Sequence, residues 1–314
     1  MASVWRCGRC GLRRLRPRPG PKALGRYYAE ASGYNAFVGR KRSGRSQRVW
    51  DFLRDCRSRP AGWTGWRRWI APVGALIADW AFDINVPLDG RTGLRVLEVG
   101  SGYGDILIYL KSRGCTVMGS DLSAEAARKG AEYGVEIRVG NLADLRLPSS
   151  SFDVAILCHS LEHLPDPNVE LAELARLLKP GGRIHIAVPN GNAVRLKLDG
   201  LRWDHLSHPF HLWYFDPRTL QRILTRHGFV PVRSPVTTTR HHALTAWKRM
   251  ARRKGWWTAT RGWMAFVKAS LTNREGGDVL RVVAELRGKP ARSPLSTRLD
   301  PLADGTQIPT ISSP

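Results

Sequence analysis

Between Glu98 and Gly104 the chain reads Glu-Val-Gly-Ser-Gly-Tyr-Gly. Glycines placed after a strand and before a helix let the backbone approach a ligand where a side chain would collide. A nicotinamide-type loop, G-x-G-x-x-G, would put its third glycine at position 105. Asp105 stands there, and its carboxylate would repel a pyrophosphate. The spacing present is Gly100, Gly102, Gly104, preceded by the acid Glu98, which suits a ligand carrying a positive charge and an amino acid moiety. Asp121 closes the next strand, where a carboxylate can accept both hydroxyls of a ribose. Beyond it, Gly140-Asn141-Leu142 could frame an adenine. A second set of residues could move protons: His159, Glu162 and His163 in the pattern H-x-x-E-H, and His205, His208 and His211 further on. Histidine is the usual base near neutral pH, and His159 and His211 are the candidates for that role.

These residues need elements to hold them. From Gly93 onward, short apolar strands alternate with helices. Strands are expected at Leu94–Val99, Cys115–Gly119, Val135–Val139, Asp153–Cys158 and Arg183–Val188. Helices are expected at Asp105–Ser112, at Ser123–Tyr133 with Ser123 as N-cap, and near Asn168–Leu178, ended by Lys179-Pro180-Gly181-Gly182. Such alternation builds a parallel sheet with right-handed crossovers. Both candidate sets then fall at the carboxyl ends of strands, where open α/β sheets bind ligands. A polar, aromatic loop (Gly191–Phe215), a helix (Pro217–His227) and two late strands (Phe229–Thr238 and Asp278–Leu286) complete the pattern. Upstream, Lys22–Asp89 reads as helical, with Val49, Phe52 and Leu53 at core spacing. Trp63, Trp66, Trp69 and Trp80 lie there among arginines. Tryptophans at period three pack against a neighbouring element, or beside arginine serve a ligand lid or a membrane contact.

In order and spacing, Glu98–Gly104, Asp121, Asp144–Asp153, Leu161–Leu164 and Leu178–Gly182 resemble class I S-adenosylmethionine-dependent methyltransferases. The resemblance implies an α/β, Rossmann-like sheet of seven strands, mostly parallel, with the last one antiparallel. It implies S-adenosyl-L-methionine as cofactor. Glu98 with Gly100, Gly102 and Gly104 would hold its methionyl part and Asp121 the ribose, Asn141 and Leu142 would border the adenine, and Leu122 would also bind the cofactor. Many relatives carry Asp where Asn141 stands. The organisation expected is a basic leader and helical cap (1–90), a methyltransferase core (91–240), a Trp/Arg-rich helical insertion (241–277), the final core strand (278–288) and a disordered tail (289–314).

Trp5-Arg-Cys7-Gly-Arg-Cys10-Gly11 resembles the second half of a four-cysteine leader in some bacterial members. The first CxxC is absent, which suggests a lost zinc knuckle or a start placed too late. The segment from Pro189 through Trp203 and His208-Pro209-Phe210-His211 to Phe215 resembles the substrate loop of that branch. Some quinone-pathway and small-RNA methyltransferases hold a divalent ion with E-x-x-E-H. Positions i, i+3 and i+4 share one helical face, so His159, Glu162 and His163 could do so. With His159 in place of a carboxylate, magnesium preference is weakened, and no metal is assigned.

Charge bears on partners. The formal net charge is +24. Met1–Leu94 carries 19 Lys+Arg against 6 Asp+Glu, whereas Arg95–Asn190 carries 10 against 12. Basic flanks around an ordinary core are drawn to anionic surfaces such as phospholipid or nucleic acid. No base-stacking motif or nucleic-acid module is visible, so nucleic acid is disfavoured. There is no apolar run of about 20 residues to span a bilayer and no secretory signal. The five cysteines are too few and scattered for a disulfide scaffold. The expectation is a cytoplasmic enzyme, with peripheral contact at the inner membrane face, that methylates an oxygen of a small-molecule, glycan or lipid-linked acceptor. The alternative is a silent methyltransferase-like domain that binds an anionic membrane or nucleic acid through its basic flanks. The sequence implies no oligomeric state.

Overall fold

The computed structural model describes residues 3–17, 19–20, 23, 45–58, 65–84, 86, 88–199, 203–206, 210–232, 236–238, 256–257, 260, 264, 276–288 and 305–307. The chain opens with an antiparallel hairpin, β1 (Ser3–Cys7) and β2 (Arg13–Arg16). Two helices follow, α1 (Arg45–Ser58) and α2 (Trp66–Ala81). Then comes the expected alternation: β3 (Arg95–Val99), α3 (Asp105–Lys111), β4 (Thr116–Asp121), α4 (Ala124–Glu132), β5 (Glu136–Val139), β6 (Phe152–Cys158), α5 (Pro167–Leu177) and β7 (Leu178–Pro189). The remainder holds α6 (Val194–Asp199), β8 (Trp213–Tyr214), α7 (Pro217–Arg226), β9 (Phe229–Pro231), β10 (Val236–Thr238), β11 (Val279–Leu286) and β12 (Gly305–Gln307).

The main sheet runs β10-β11-β7-β6-β3-β4-β5. Strands β7, β6, β3, β4 and β5 are parallel, and β11 lies antiparallel to β7 from Val279↔Pro189 to Glu285↔Arg183. Both β9 and β10 pair with β11, so the strand expected over 229–238 is present in two pieces. Helices cover both faces of a parallel sheet, so its strands are apolar on both sides. Leu97, Leu157, Ile184 and Ile186 join one buried cluster with Leu171, Leu174 and Leu220. Their strand neighbours Val96, Ile156 and Ala187 join another with Tyr109 and Leu110. The side-chain period of two thus sorts each strand between two cores.

Local chemistry fixes the ends of the helices. Ser123 caps α4 by accepting from Ala126 N, and Asp166 caps α5 by accepting from Asn168 N. Lys179-Pro180-Gly181-Gly182, expected only to stop a helix, lies within β7. There the pairing shifts between Phe152↔Leu178 and Val154↔Arg183, an irregularity that absorbs the extra residues.

The helical cap is held to the core by a polar clamp. Arg113 donates to both oxygens of Asp55 (2.7 and 2.8 Å), and Tyr109 Oη donates to Asp55 Oδ1 at 2.9 Å. Ser58 Oγ lies 2.5 Å from the same phenol oxygen. Within the cap, Gly74 of α2 faces Cys56 of α1 so closely that a Cβ would fall 2.2 Å from Cys56 Sγ. Val49, expected in the core, is exposed, because α1 is seated through Asp55, Cys56 and Ser58 instead.

A second sheet, β12-β1-β2-β8, is antiparallel throughout. Arg13 of β2 donates to Gly191 O (2.8 Å) and Asn192 Oδ1 (3.1 Å), which ties the hairpin to the loop after β7. Cys7 and Cys10 flank the hairpin turn, and all five cysteines are free thiols. Among the described residues, no metal-ligand group of three includes either of them. The tail was expected to be disordered; its residues 305–307 form β12 on β1, and the rest of it lies outside the described residues. The helical insertion 241–277 is likewise outside them, apart from Trp256, Trp257, Thr260 and Met264, which are helical, and 276–277.

Candidate active site

The donor crevice is built where β3 and β4 end. β3 carries Glu98, and the chain leaves the sheet through Gly100, Gly102 and Gly104, with φ of 67°, 52° and 82°. These are left-handed conformations that side chains resist, so the loop turns sharply into α3. Gly100 also abuts Ser160, where a Cβ would come within 2.7 Å of the serine's own Cβ. Asp121 closes β4. Its Oδ2 accepts from Gly102 N and its Oδ1 from Ser123 N, both at 2.9 Å. This carboxylate therefore fastens the glycine loop, and each oxygen keeps a second lone pair for a ligand hydroxyl.

Three buried polar atoms around this loop have no hydrogen-bond partner among the described residues: Glu98 Oε2, Ser101 Oγ and Ser160 Oγ. Buried polar groups are normally satisfied, so three such atoms beside a glycine turn mark a ligand cradle. Burial pushes the Glu98 carboxyl well above the ordinary range. The Arg54 guanidinium opposes this, and the negative charges of Asp105 and Asp121 add to it. A carboxyl under such strain gains from an incoming cation. That fits the ammonium and sulfonium of S-adenosylmethionine. Leu122 and Asn141 lie exposed on the rim, and Asn141 Nδ2 donates to Asp144 Oδ2 at 3.2 Å. Leu142 follows Asn141 with its side chain fully buried in the core cluster.

Sequence reasoning missed Arg54. It sits in α1 with its guanidinium stacked over Phe82 (4.5 Å) and Tyr109 (5.3 Å), and its charge reaches Glu98 and Asp105. The adjacent Asp55 clamp sets its position. In sequence it is one arginine among many, and no spacing signals it.

The acceptor side is assembled from three distant segments. His159 follows β6 with φ 54°, an unfavourable conformation for a side-chain-bearing residue. Its Nε2 lies 2.9 Å from Asp83 Oδ2 and its Nδ1 lies 3.3 Å from Glu162 Oε1. Burial alone would push this imidazole down. The Asp83 carboxylate, by charge and hydrogen bond, and then Glu162 overcome that and raise its pKa to about 10. Near neutral pH His159 is therefore an imidazolium between two carboxylates, with no lone pair to act as a base. Asp83 is the second residue that sequence reasoning missed.

His211 is the opposite case. Burial, with His163 nearby, pushes it down to about 4, so the ring is neutral. Its Nδ1 lies 2.7 Å from His205 O; a carbonyl only accepts, so Nδ1 carries the proton and Nε2 the lone pair. His163 repeats the arrangement, with Nδ1 donating to Phe210 O at 3.0 Å and the ring edge-on to His211 at 4.7 Å. Glu162 is buried and held below the usual carboxylate range. Burial opposes this, but the charged His159 ring 3.3 Å away, with the neighbouring histidines, prevails. Leu212 N donates to Glu162 O at 2.8 Å, which joins the two histidine segments.

The expected helical face over His159–His163 does not form. Only Leu161–His163 makes a 3-10 turn, and His159 turns toward Asp83. A different trio gathers instead. Glu162, His163 and His211 each offer one ligand atom, and these lie within 4.8 Å of one another. With Nδ1 of each histidine engaged by a carbonyl, Nε2 is the nitrogen that keeps a lone pair, as a metal ligand requires. Trp203, Leu212, Tyr214 and Phe215 are buried in the same segment. His208 lies outside the described residues.

The chain is similar to several known proteins. The chain is 38% identical over 141 residues to a protein of Mycolicibacterium smegmatis named as a probable S-adenosylmethionine-dependent methyltransferase, covering 44% of this chain and 52% of the relative. It is 34% identical over 113 residues to the ubiquinone biosynthesis O-methyltransferase of Idiomarina loihiensis (33% of this chain, 46% of the relative). To the nocamycin O-methyltransferase of Saccharothrix syringae it is 38% identical over 113 residues (32% and 40%). The chain spans about half the length of these curated relatives. Among solved structures, a chain of the complex between the Haloferax volcanii Trm112 methyltransferase activator and a methyltransferase shares the fold. It has a TM-score of 0.53 and 18% identity, over 84% of this chain and 98% of that one. The methyltransferase-domain family matches residues 72–234, just over half of the sequence and all of the crevice described above. The chain belongs to that family, the class I S-adenosylmethionine-dependent methyltransferases.

Proposed function

We propose that this protein methylates a hydroxyl oxygen of a small-molecule, glycan or lipid-linked acceptor, with His211 Nε2 receiving the acceptor's proton. When bound, S-adenosylmethionine supplies the electrophilic methyl group and leaves as S-adenosylhomocysteine. Glu98 and the glycine loop would hold its methionyl part, Asp121 its ribose, and Arg54 its carboxylate. The observation that carries the base assignment is the fixed tautomer of His211, a neutral ring whose Nδ1 is engaged by His205 O and which has a ligand atom within 4.8 Å of the buried Glu162 carboxylate. As His211 takes up a proton, the Glu162 carboxylate offsets the new charge, while His159 keeps that carboxylate ionised and in place. The buried wall of Trp203, Leu212 and Phe215 limits water at the reacting oxygen. Two relatives named as O-methyltransferases support oxygen as the acceptor atom. The donor cradle with its three unsatisfied polar atoms argues against a silent domain.

The close approach of Glu162, His163 and His211 supports a second reading, in which these groups hold a divalent cation that lowers the pKa of the acceptor hydroxyl. Formation of S-adenosylhomocysteine from hydroxylated lipid, quinone and glycan extracts, measured before and after chelation, separates the two. Turnover that survives chelation and is lost in His211→Gln supports the proton-acceptor reading. Turnover that chelation abolishes and a divalent cation restores replaces it with the metal reading. No turnover with any hydroxylated extract, alongside methylation of amines or thiols, would refute oxygen as the acceptor atom.

A further inference from the structure

We propose that the outer stripe of α2 is a docking surface for an anionic lipid bilayer. Trp66, Trp69, Ile70, Val73 and Ile77 recur at helical spacing along one side of this helix. They are exposed to 65%, 86%, 37%, 62% and 46%. The other side seats the helix, through buried Ala71, Gly74 and Ala78, with Gly74 against Cys56 of α1. Trp66 and Trp69 thus do not serve the packing that period-three spacing first suggests, because packing uses the small residues. A contiguous exposed apolar stripe on an enzyme marks an interaction surface.

Charge selects the occupant. Arg67 lies beside the stripe with its guanidinium 5.8 Å from the Trp66 ring centroid, and the first turn of α2 holds no acid. The segment to Leu94 carries 19 Lys+Arg against 6 Asp+Glu, and the whole chain +24. A second copy of such a chain would be repelled, whereas an anionic lipid surface attracts it. Tryptophan and arginine together are the residues that settle at the level of lipid headgroups. The contact is interfacial, since no helix among the described residues is long and apolar enough to cross a membrane. The proposal goes beyond the methyl-transfer reading and stands without it.

The test is sedimentation of the full-length protein with two kinds of vesicle, phosphatidylcholine alone and equimolar phosphatidylcholine and phosphatidylglycerol. Trp69→Ser/Val73→Ser is compared with wild type. Both positions are exposed, so the fold is spared, and affinity for S-adenosylhomocysteine reports the donor site separately. The expected result is binding to the mixed vesicles only, with partitioning lowered about tenfold or more in the variant and cofactor affinity unchanged. The proposal is overturned if wild type ignores the mixed vesicles, or if the variant binds them as wild type does. A wild-type dimer in sedimentation velocity that the variant abolishes would overturn it as well, in favour of a second copy of the chain on the stripe.

Discussion

Replacing Glu98 by Gln should move apo stability and cofactor affinity in opposite directions. Glu98 is almost wholly buried, with Oε2 unpartnered and its carboxyl raised well above the ordinary range, first by burial. A carboxyl whose folded pKa exceeds its unfolded value lowers stability as pH rises through that window, because the folded state must give up the proton it prefers. Glutamine has no proton to lose, so the fall in apo stability that Glu98 imposes as pH rises should vanish, and the variant should melt higher than wild type at the alkaline end of that window. The ligand's ammonium, however, loses a charge-assisted hydrogen bond worth about 1.5–3 kcal/mol. Kd for S-adenosylhomocysteine should therefore rise about 10- to 150-fold.

Calorimetric titration supplies a second readout. If Glu98 is protonated when free and ionised when bound, binding releases up to about one proton. The measured enthalpy then depends on the ionisation enthalpy of the buffer, and Glu98→Gln abolishes that dependence. A variant that binds as tightly as wild type, or that releases the same proton, refutes the assignment of Glu98 as the cation's partner.

Asp121→Ala should weaken cofactor binding and also lower stability by about 1–3 kcal/mol, since Gly102 N and Ser123 N lose their acceptors; thermal melts and titration report each. His211→Gln should lower methyl transfer by about 10²–10⁴-fold with S-adenosylhomocysteine affinity intact, and wild-type stability should fall as pH drops from 6.5 through about 4, where the depressed histidine is forced to charge. Asp83→Asn should destabilise by about 3 kcal/mol. His159 is raised to about 10, so that deficit should be largest below pH 6.5 and shrink as pH climbs toward 10, as followed by denaturant unfolding at each pH. Arg54→Met should raise the Kd of S-adenosylhomocysteine about tenfold and leave that of adenosine unchanged, since adenosine has no carboxylate.

The candidate donor crevice could be sketched from sequence because the chemistry proposed for it is local. Glu98, the three glycines and Asp121 lie on two consecutive strand ends, and the residue types alone state what the backbone must do there. The seven-stranded sheet was legible for a related reason, since strands buried on both faces announce themselves as apolar runs. The acceptor side was not legible. Its geometry joins Asp83, the turn after β6 and the loop before β8, and no spacing rule links them. The sequence also cannot show that His159 takes a left-handed backbone conformation, and that single feature sends its ring to Asp83 rather than along a helical face with His163. In the cap, periodicity revealed stripes on α1 and α2 without showing which stripe is covered. Small residues decided it: Gly74 and Cys56 allow the helices to approach, and that leaves Val49, Trp66 and Trp69 outside.

The two halves of the site use buried charge in opposite ways, and the difference follows from what each must bind. On the donor side Glu98 is left short of a cation by its own neighbours, Asp105 and Asp121, with Arg54 as a partial counterweight. A field of that sign favours the sulfonium of the methyl donor over the uncharged thioether of the product, the ammonium being common to both. On the acceptor side the carboxylates are answered from within: Asp83 and Glu162 share the imidazolium of His159. In this scheme an acceptor entering there meets a compensated field and the neutral rings of His211 and His163, so a neutral hydroxyl can bind without a competing counter-ion. If His159 were neutral, Glu162 would claim the proton that His211 is placed to receive, and His211 would lose its role. The Asp83–His159 contact thus sets which group accepts the proton, although Asp83 itself touches neither donor nor acceptor in this scheme. A shift of the activity–pH profile in Asp83→Asn, with cofactor affinity unchanged, would distinguish that positioning role from a merely structural one.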